Sequence, residues 1–230
     1  MKTTKDNLQV IYEDNHIVVI NKRAGDIVQG DKTGDEPLSE IIKSFLVEKY
    51  NKKGEAYLGV VHRLDRPTTG LVVFAKTSKA LPRLNALFSD KNNVKKTYLA
   101  LVHKKNIPTE GVLTHWLTRN EKTNKSTAHN KEVPNSKKAI LEYCLLKELD
   151  NYNLLEINLL TGRHHQIRAQ FSALGCPIRG DIKYGAKRTN PDASISLHAY
   201  HLEFIHPVKK EKISLYAPVP ELVKPANIEL

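Results

Sequence analysis

The feature that most limits the folds open to this chain is a succession of short apolar, β-branched runs, several of them joined by short links. Such runs occur at Gln9–Glu13, Ile17–Asn21, Gly59–Arg63, Leu71–Ala75, Thr97–Val102, Lys138–Leu145, Leu154–Leu159, Leu197–Phe204 and Lys212–Ala217. Antiparallel strands can be joined by a few residues, whereas parallel neighbours need a crossover of a dozen or more. Helical spacing is rarer. Leu38, Ile41, Ile42, Phe45 and Leu46 share one helical face behind an Asp35-Glu36-Pro37 entry, and a second helix is expected after Thr77 or Ser78. A third is expected from Arg163 to Leu174, with Thr161 capping its start and Gly175 ending it. Many strands with few, separated helices predict an α+β fold on a mainly antiparallel, mixed sheet. No Pro- or Gly-rich linker divides the 230 residues, so one domain over 1–230 is expected. The polar, lysine-rich stretch from Arg119 to Lys138 reads as a surface hairpin or loop.

Thirty-six Lys and Arg against 25 Asp and Glu leave a net charge of +11, which favours a polyanionic partner because basic side chains displace counterions condensed on phosphates. Charge alone does not separate RNA from DNA or an anionic membrane surface. The polar N-terminus has no apolar segment behind it, and no run approaches the roughly 20 apolar residues of a membrane span. Cys144 and Cys176 stand far apart and outside any paired motif, so a cytoplasmic protein without disulfides is expected.

Two polar clusters could carry chemistry. In His62-Arg63-Leu64-Asp65-Arg66-Pro67-Thr68-Thr69-Gly70-Leu71 a carboxylate sits between two arginines at a strand end, where neighbouring cations favour its anionic form. The same residues could make a structural turn, with Asp65 accepting backbone hydrogen bonds and Gly70 supplying the bend. The second cluster, Leu160-Thr161-Gly162-Arg163-His164-His165-Gln166-Ile167-Arg168, opens the third helix, where free N–H groups and Arg163 could hold an anion. That anion could be an RNA phosphate or the Asp65 carboxylate. On the strand Lys95-Lys96-Thr97-Tyr98-Leu99-Ala100-Leu101, Tyr98 is either core or a surface for stacking a flipped pyrimidine.

Taken together, these motifs resemble the RluA-type pseudouridine synthases. The resemblance rests on His62-Arg63-Leu64-Asp65 with Thr69-Gly70-Leu71, on Lys96-Thr97-Tyr98-Leu99-Ala100, and on Thr161 to Arg168 followed by Gly175-Cys176-Pro177-Ile178-Arg179-Gly180-Asp181 and Tyr184-Gly185. Tyr12-Glu13-Asp14, Asn21-Lys22, Leu197-His198-Ala199, Phe204, His206-Pro207 and Ala217-Pro218 extend it over nearly the whole chain, in the family's order. The resemblance implies isomerisation of uridine to pseudouridine in ribosomal or transfer RNA, without cofactor or metal. It implies Asp65 as nucleophile, Tyr98 against the target base, Arg163 paired with the aspartate, and Arg63 replacing the flipped uridine. His62, Arg63, Thr69, Lys96, His165, Gln166 and Arg168 are the residues expected to contact RNA. Two positions depart from the family pattern: Lys22-Arg23 where Lys-Pro is usual, and Gln170 where a histidine is usual. Many members add an S4-type RNA-binding domain, whereas here the catalytic motifs begin by about Leu8, so a stand-alone, monomeric catalytic domain is expected.

Rival readings are weaker or remain to be tested. Ten histidines prompt a metal-dependent hydrolase, yet no His-Glu-x-x-His or Cys/His quartet occurs. A kinase-like loop at His62-Arg63 is interrupted by Leu64, and no glycine-rich nucleotide loop accompanies it. A non-catalytic RNA-binding protein or RNA chaperone fits the charge equally well, and the behaviour of Asp65→Asn separates it from an isomerase.

Overall fold

A computed structural model describes residues 2–31, 33–90 and 93–223. The chain packs as two compact units, Met1–Val94 with Tyr200–Pro218, and Lys95–Ala199 with Val219–Leu230. Three α-helices accompany the strands among the described residues.

In the first unit, β1 (Val10–Glu13) and β2 (Ile17–Lys22) form a hairpin. β2 then pairs with β4 (Thr69–Ala75), from Ile17 opposite Ala75 to Lys22 opposite Gly70. β3 (Gly59–Val60) adds two residues against Ala75 and Phe74, and β10 (Leu197–Ile205) pairs with β11 (Lys212–Tyr216). Ile17, Val19, Leu71, Val73, Leu84, Leu202 and Phe204 are buried together, the inward members of alternating strands meeting helix α2 (Ala80–Ser89). Thr77 caps that helix by accepting from the Ala80 N–H at 3.1 Å. Helix α1 (Leu38–Lys49) begins after Pro37 and buries Leu38, Ile41, Ile42 and Leu46, the face expected from their spacing.

In the second unit, β5 (Val94–His103) pairs with β9 (Tyr152–Leu159), β9 with β8 (Lys137–Glu148), β8 with β6 (Glu110–Asn120), and β6 with β7 (Lys125–His129). The Arg119–Lys138 stretch thus holds a true hairpin, with Asn124 in its turn at φ 48°. Helix α3 (Gln166–Ala173) packs on β6 and β7. The pairings β1–β2, β2–β4, β3–β4, β10–β11, β5–β9, β8–β9, β6–β8 and β6–β7 are antiparallel.

Three local expectations change. β3 stops at Val60 rather than reaching Arg63. Helix α3 starts at Gln166, because His165 takes a left-handed conformation at φ 53° that ends any helical run from Arg163. Thr161 does not cap it: its hydroxyl accepts from the Ile140 N–H at 2.8 Å and ties the turn to β8. Gly175, at φ 76°, does follow the helix end as expected.

Candidate active site

The first unit supplies the loop 61–68, between β3 and β4, which carries Asp65. Asp65 is half-buried, and its carbonyl accepts from the Thr68 N–H at 3.0 Å, closing a turn with Arg66 and Pro67 at its corners. Gly70 follows at φ 113°, a conformation that favours glycine. Beneath the turn lies Lys22, 1% exposed. It follows Val18 and Ile20 on the face of β2 opposite Ile17 and Val19, and all five are buried. Its Nζ donates to the carbonyls of Arg23 at 2.8 Å, Arg66 at 3.1 Å and Thr68 at 2.8 Å. Burial pulls its pKa down to about 7, against the opposing pull of the Asp26 and Asp65 carboxylates. The lysine therefore pins the loop from beneath.

The flanking residues divide their roles. Arg66 turns to the segment before α1, donating to Thr33 Oγ1 at 2.9 Å and pairing with Asp35. Arg63 is exposed, while Thr69 is half-buried at the start of β4. His62 is half-buried, with its ring on Phe88 and Nε2 accepting from the Val73 N–H.

Tyr98 and Arg163 lie in the second unit. Tyr98, 9% exposed, lies on β5 opposite Ile157 of β9. Lys96 shares its strand face two residues earlier, and burial lowers its pKa. Arg163 sits half-buried in the turn between β9 and α3, with Nε donating to the Lys138 carbonyl at 3.0 Å. Gln166 staples that turn: its Oε1 accepts from the Arg163 N–H at 3.0 Å and from Thr161 Oγ1 at 2.8 Å, and its Nε2 donates to the Ile140 carbonyl at 3.1 Å.

The remaining residues expected at the RNA face beside Arg163 point inward. His165 is 8% exposed and stacks on His164 at 3.7 Å. Its Nδ1 lies 2.9 Å from the Tyr184 hydroxyl, which also accepts from the Ser126 N–H at 2.8 Å. Burial, helped by Arg168 and other nearby cations, drives the His165 pKa down to about 2, so the ring that pairs with the phenol is neutral. Arg168, 5% exposed, forks onto Asp181 and lies 4.9 Å above the Tyr184 ring.

Lys22, Tyr184 and Asp181 were not singled out from sequence as parts of the site. For Lys22 the sequence carries no signal, since Ile17-Val18-Val19-Ile20 is apolar at every position and does not show which face of β2 is buried. Among the described residues no group of three or more His, Cys, Asp or Glu could hold a metal ion, and no helix is long and apolar enough to cross a membrane.

Comparison with known proteins adds to this geometry. A family model described as RNA pseudouridylate synthase matches residues 16–173. An uncharacterized RNA pseudouridine synthase of Bacillus subtilis is 33% identical, over 93% of this chain and 73% of its own. A protein of Rickettsia felis named ribosomal large subunit pseudouridine synthase C is 37% identical, over 95% of this chain and 69% of its own. Among solved structures, human RNA pseudouridylate synthase domain containing 4 superposes with a TM-score of 0.76 at 24% identity, over 94% of this chain and 90% of that one.

Proposed function

The chain belongs to the RNA pseudouridylate synthase family and isomerises uridine to pseudouridine in RNA, and we propose that Asp65 is the carboxylate that carries the reaction. The observation supporting this most strongly is the pinned loop. A half-buried acid held by backbone turns and a buried lysine keeps its place without help from substrate, which is what a reacting group needs.

The reaction breaks N1–C1′, turns the uracil, joins C5 to C1′, and loses the C5 proton while N1 takes one up, so it is an isomerisation that consumes no redox equivalent. The Asp65 carboxylate opens the N1–C1′ bond either as nucleophile at C1′ or as base toward the C2′ proton, and both routes need the anion. Tyr98 lies against the flipped base and Arg163 pairs with the aspartate. Arg63, exposed on the Asp65 loop, fills the space the uridine vacates. Burial supports a different part for Gln166, His165 and Arg168, that of holding the Arg163 turn in shape. Thr69 and Lys96 border the reacting strands and meet the RNA backbone.

On this reading both units form one catalytic domain, which acts in the cytoplasm as a monomer without cofactor on structured RNA. Large-subunit ribosomal RNA is the first candidate, since several similar proteins carry that substrate in their names, and transfer RNA the second. The test is to map pseudouridines in RNA from cells with and without the gene, and after restoring it as wild type or as Asp65→Asn. A pseudouridine that disappears with the gene and returns only with the wild type supports the proposal. Its return with Asp65→Asn overturns it.

A further inference from the structure

His62 stands three residues before Asp65, where β3 gives way to the loop. β3 pairs with β4 for two residues only, Gly59 opposite Ala75 and Val60 opposite Phe74. One more step in that register would set Val61 against Val73. Instead, the Val73 N–H donates to His62 Nε2 at 3.1 Å, so a ring nitrogen takes the place of a strand carbonyl. This exchange is why β3 ends early, since the ladder is completed by a side chain while the backbone turns away.

The imidazole is held in that position. It lies stacked on Phe88 of α2, with centroids 4.8 Å apart and planes 22° apart, and Phe88 leans in turn on the buried Phe204, 5.9 Å away. Val73 itself is fully buried in the centre of β4, opposite Val19 of β2. The loop consequently has an anchor at each end, His62 at the entrance and the Lys22 contact with the Thr68 carbonyl at the exit. Asp65 lies midway, three residues from each.

We propose that His62 is a positioning residue: by accepting the Val73 N–H it fixes the entrance of the Asp65 loop to β4, so that the sheet rather than the RNA sets where the carboxylate stands. This rests on Asp65 being the catalytic carboxylate. Phe88 covers one face of the ring and β4 engages Nε2, so both hold the imidazole to the protein.

The experiment compares wild type, His62→Leu, His62→Gln and Asp65→Asn on a transcript of large-subunit ribosomal RNA labelled with tritium at uridine C5. It measures single-turnover tritium release at saturating enzyme and, separately, the Kd for the same transcript. Leucine keeps bulk against Phe88 but cannot accept, whereas the glutamine Oε1 can occupy the place of Nε2. His62→Leu is expected to lose roughly 30- to 100-fold in rate, the scale of a reacting group displaced by about 1 Å, with Kd within about twofold. His62→Gln is expected to recover to within about fivefold of wild type. A weakened Kd with an unchanged saturated rate would overturn the proposal in favour of an RNA contact. Glutamine as slow as leucine would overturn it as well. Should His62→Leu lose its cooperative melting, His62→Gln decides alone, its near-wild-type rate supporting the proposal and a slow rate refuting it. Turnover by Asp65→Asn would instead remove the reading beneath it, so the two failures are told apart.

Discussion

Arg168 and Asp181 offer a sharp test of which arginines serve the fold and which serve the RNA. The guanidinium reaches the carboxylate through two bonds, Nε to Oδ2 at 2.7 Å and Nη2 to Oδ1 at 2.9 Å, with side chains 5% and 1% exposed. Arg168→Met keeps the length of the apolar stem over Tyr184 but strands a buried carboxylate without its fork. Removing one member of a buried pair costs about 3–5 kcal/mol, because the other charge stays desolvated. For a chain of this size, at about 2–4 °C per kcal/mol, the Tm should fall by roughly 6–20 °C. Removing both charges in Arg168→Met/Asp181→Leu should recover most of this, to within about 2 kcal/mol of wild type, since no charge is left unpaired. Thermal melts followed by circular dichroism without RNA measure all three proteins. An Arg168→Met protein melting within about 2 °C of wild type, yet binding RNA more weakly and with a shallower salt dependence, would make Arg168 a phosphate contact and refute the reasoning.

Two further predictions concern buried groups whose charge depends on pH. Lys22→Met leaves the Arg23 and Thr68 carbonyls without their donor, while the Arg66 carbonyl keeps the Gly25 N–H at 2.9 Å. At about 1–3 kcal/mol per orphaned acceptor, denaturant titration should show about 2–6 kcal/mol lost. The Lys22 pKa falls from 10.5 to about 7 in the folded chain, so between those values the unfolded chain holds a proton that folding releases. Stability from this residue therefore rises with pH across that window, and the gap between wild type and Lys22→Met should widen from pH 7 toward 10; a constant gap would contradict it. His165 is likewise lowered, from 6.5 to about 2, so as pH falls below 6.5 the unfolded chain takes up a proton that the folded chain refuses. Stability should be lost over that range, and His165→Asn, suited to the left-handed backbone, should show a flatter acid limb; equal limbs would count against a buried neutral ring.

Much of this organisation was legible in the sequence wherever apolar runs and burial agree, as in β2, β4, β5 and β9. It failed at β6, whose inward register holds Gly111, Leu113, His115 and Leu117 while Val112 points outward at 61% exposure. A glycine and a histidine on the buried face, with a valine on the open one, erase the signal that alternation depends on. The histidine is answered from α3, where the wholly buried Gln170 places Nε2 3.1 Å from His115 Nδ1 and 3.1 Å from the Leu113 carbonyl. The departure noted at position 170 is therefore a packing partner of β6. The start of α3 was misread for a related reason: Gln166 and Thr161 bond to β8 and to the Arg163 backbone, a long-range staple that local propensity does not contain. The Asp65 loop was visible as a polar cluster between apolar strands. Its anchors were not, because a lysine on a buried strand face and a histidine replacing a ladder carbonyl become meaningful only once the register is known.

The most direct test of the central claim is tritium release from C5-labelled large-subunit ribosomal RNA by wild type and Asp65→Asn, with binding of the same RNA measured alongside. Wild type should release tritium in step with pseudouridine formed, and Asp65→Asn should bind at least as tightly while releasing none above background. Release by Asp65→Asn at a rate comparable to wild type would show that the isomerisation does not run through this carboxylate.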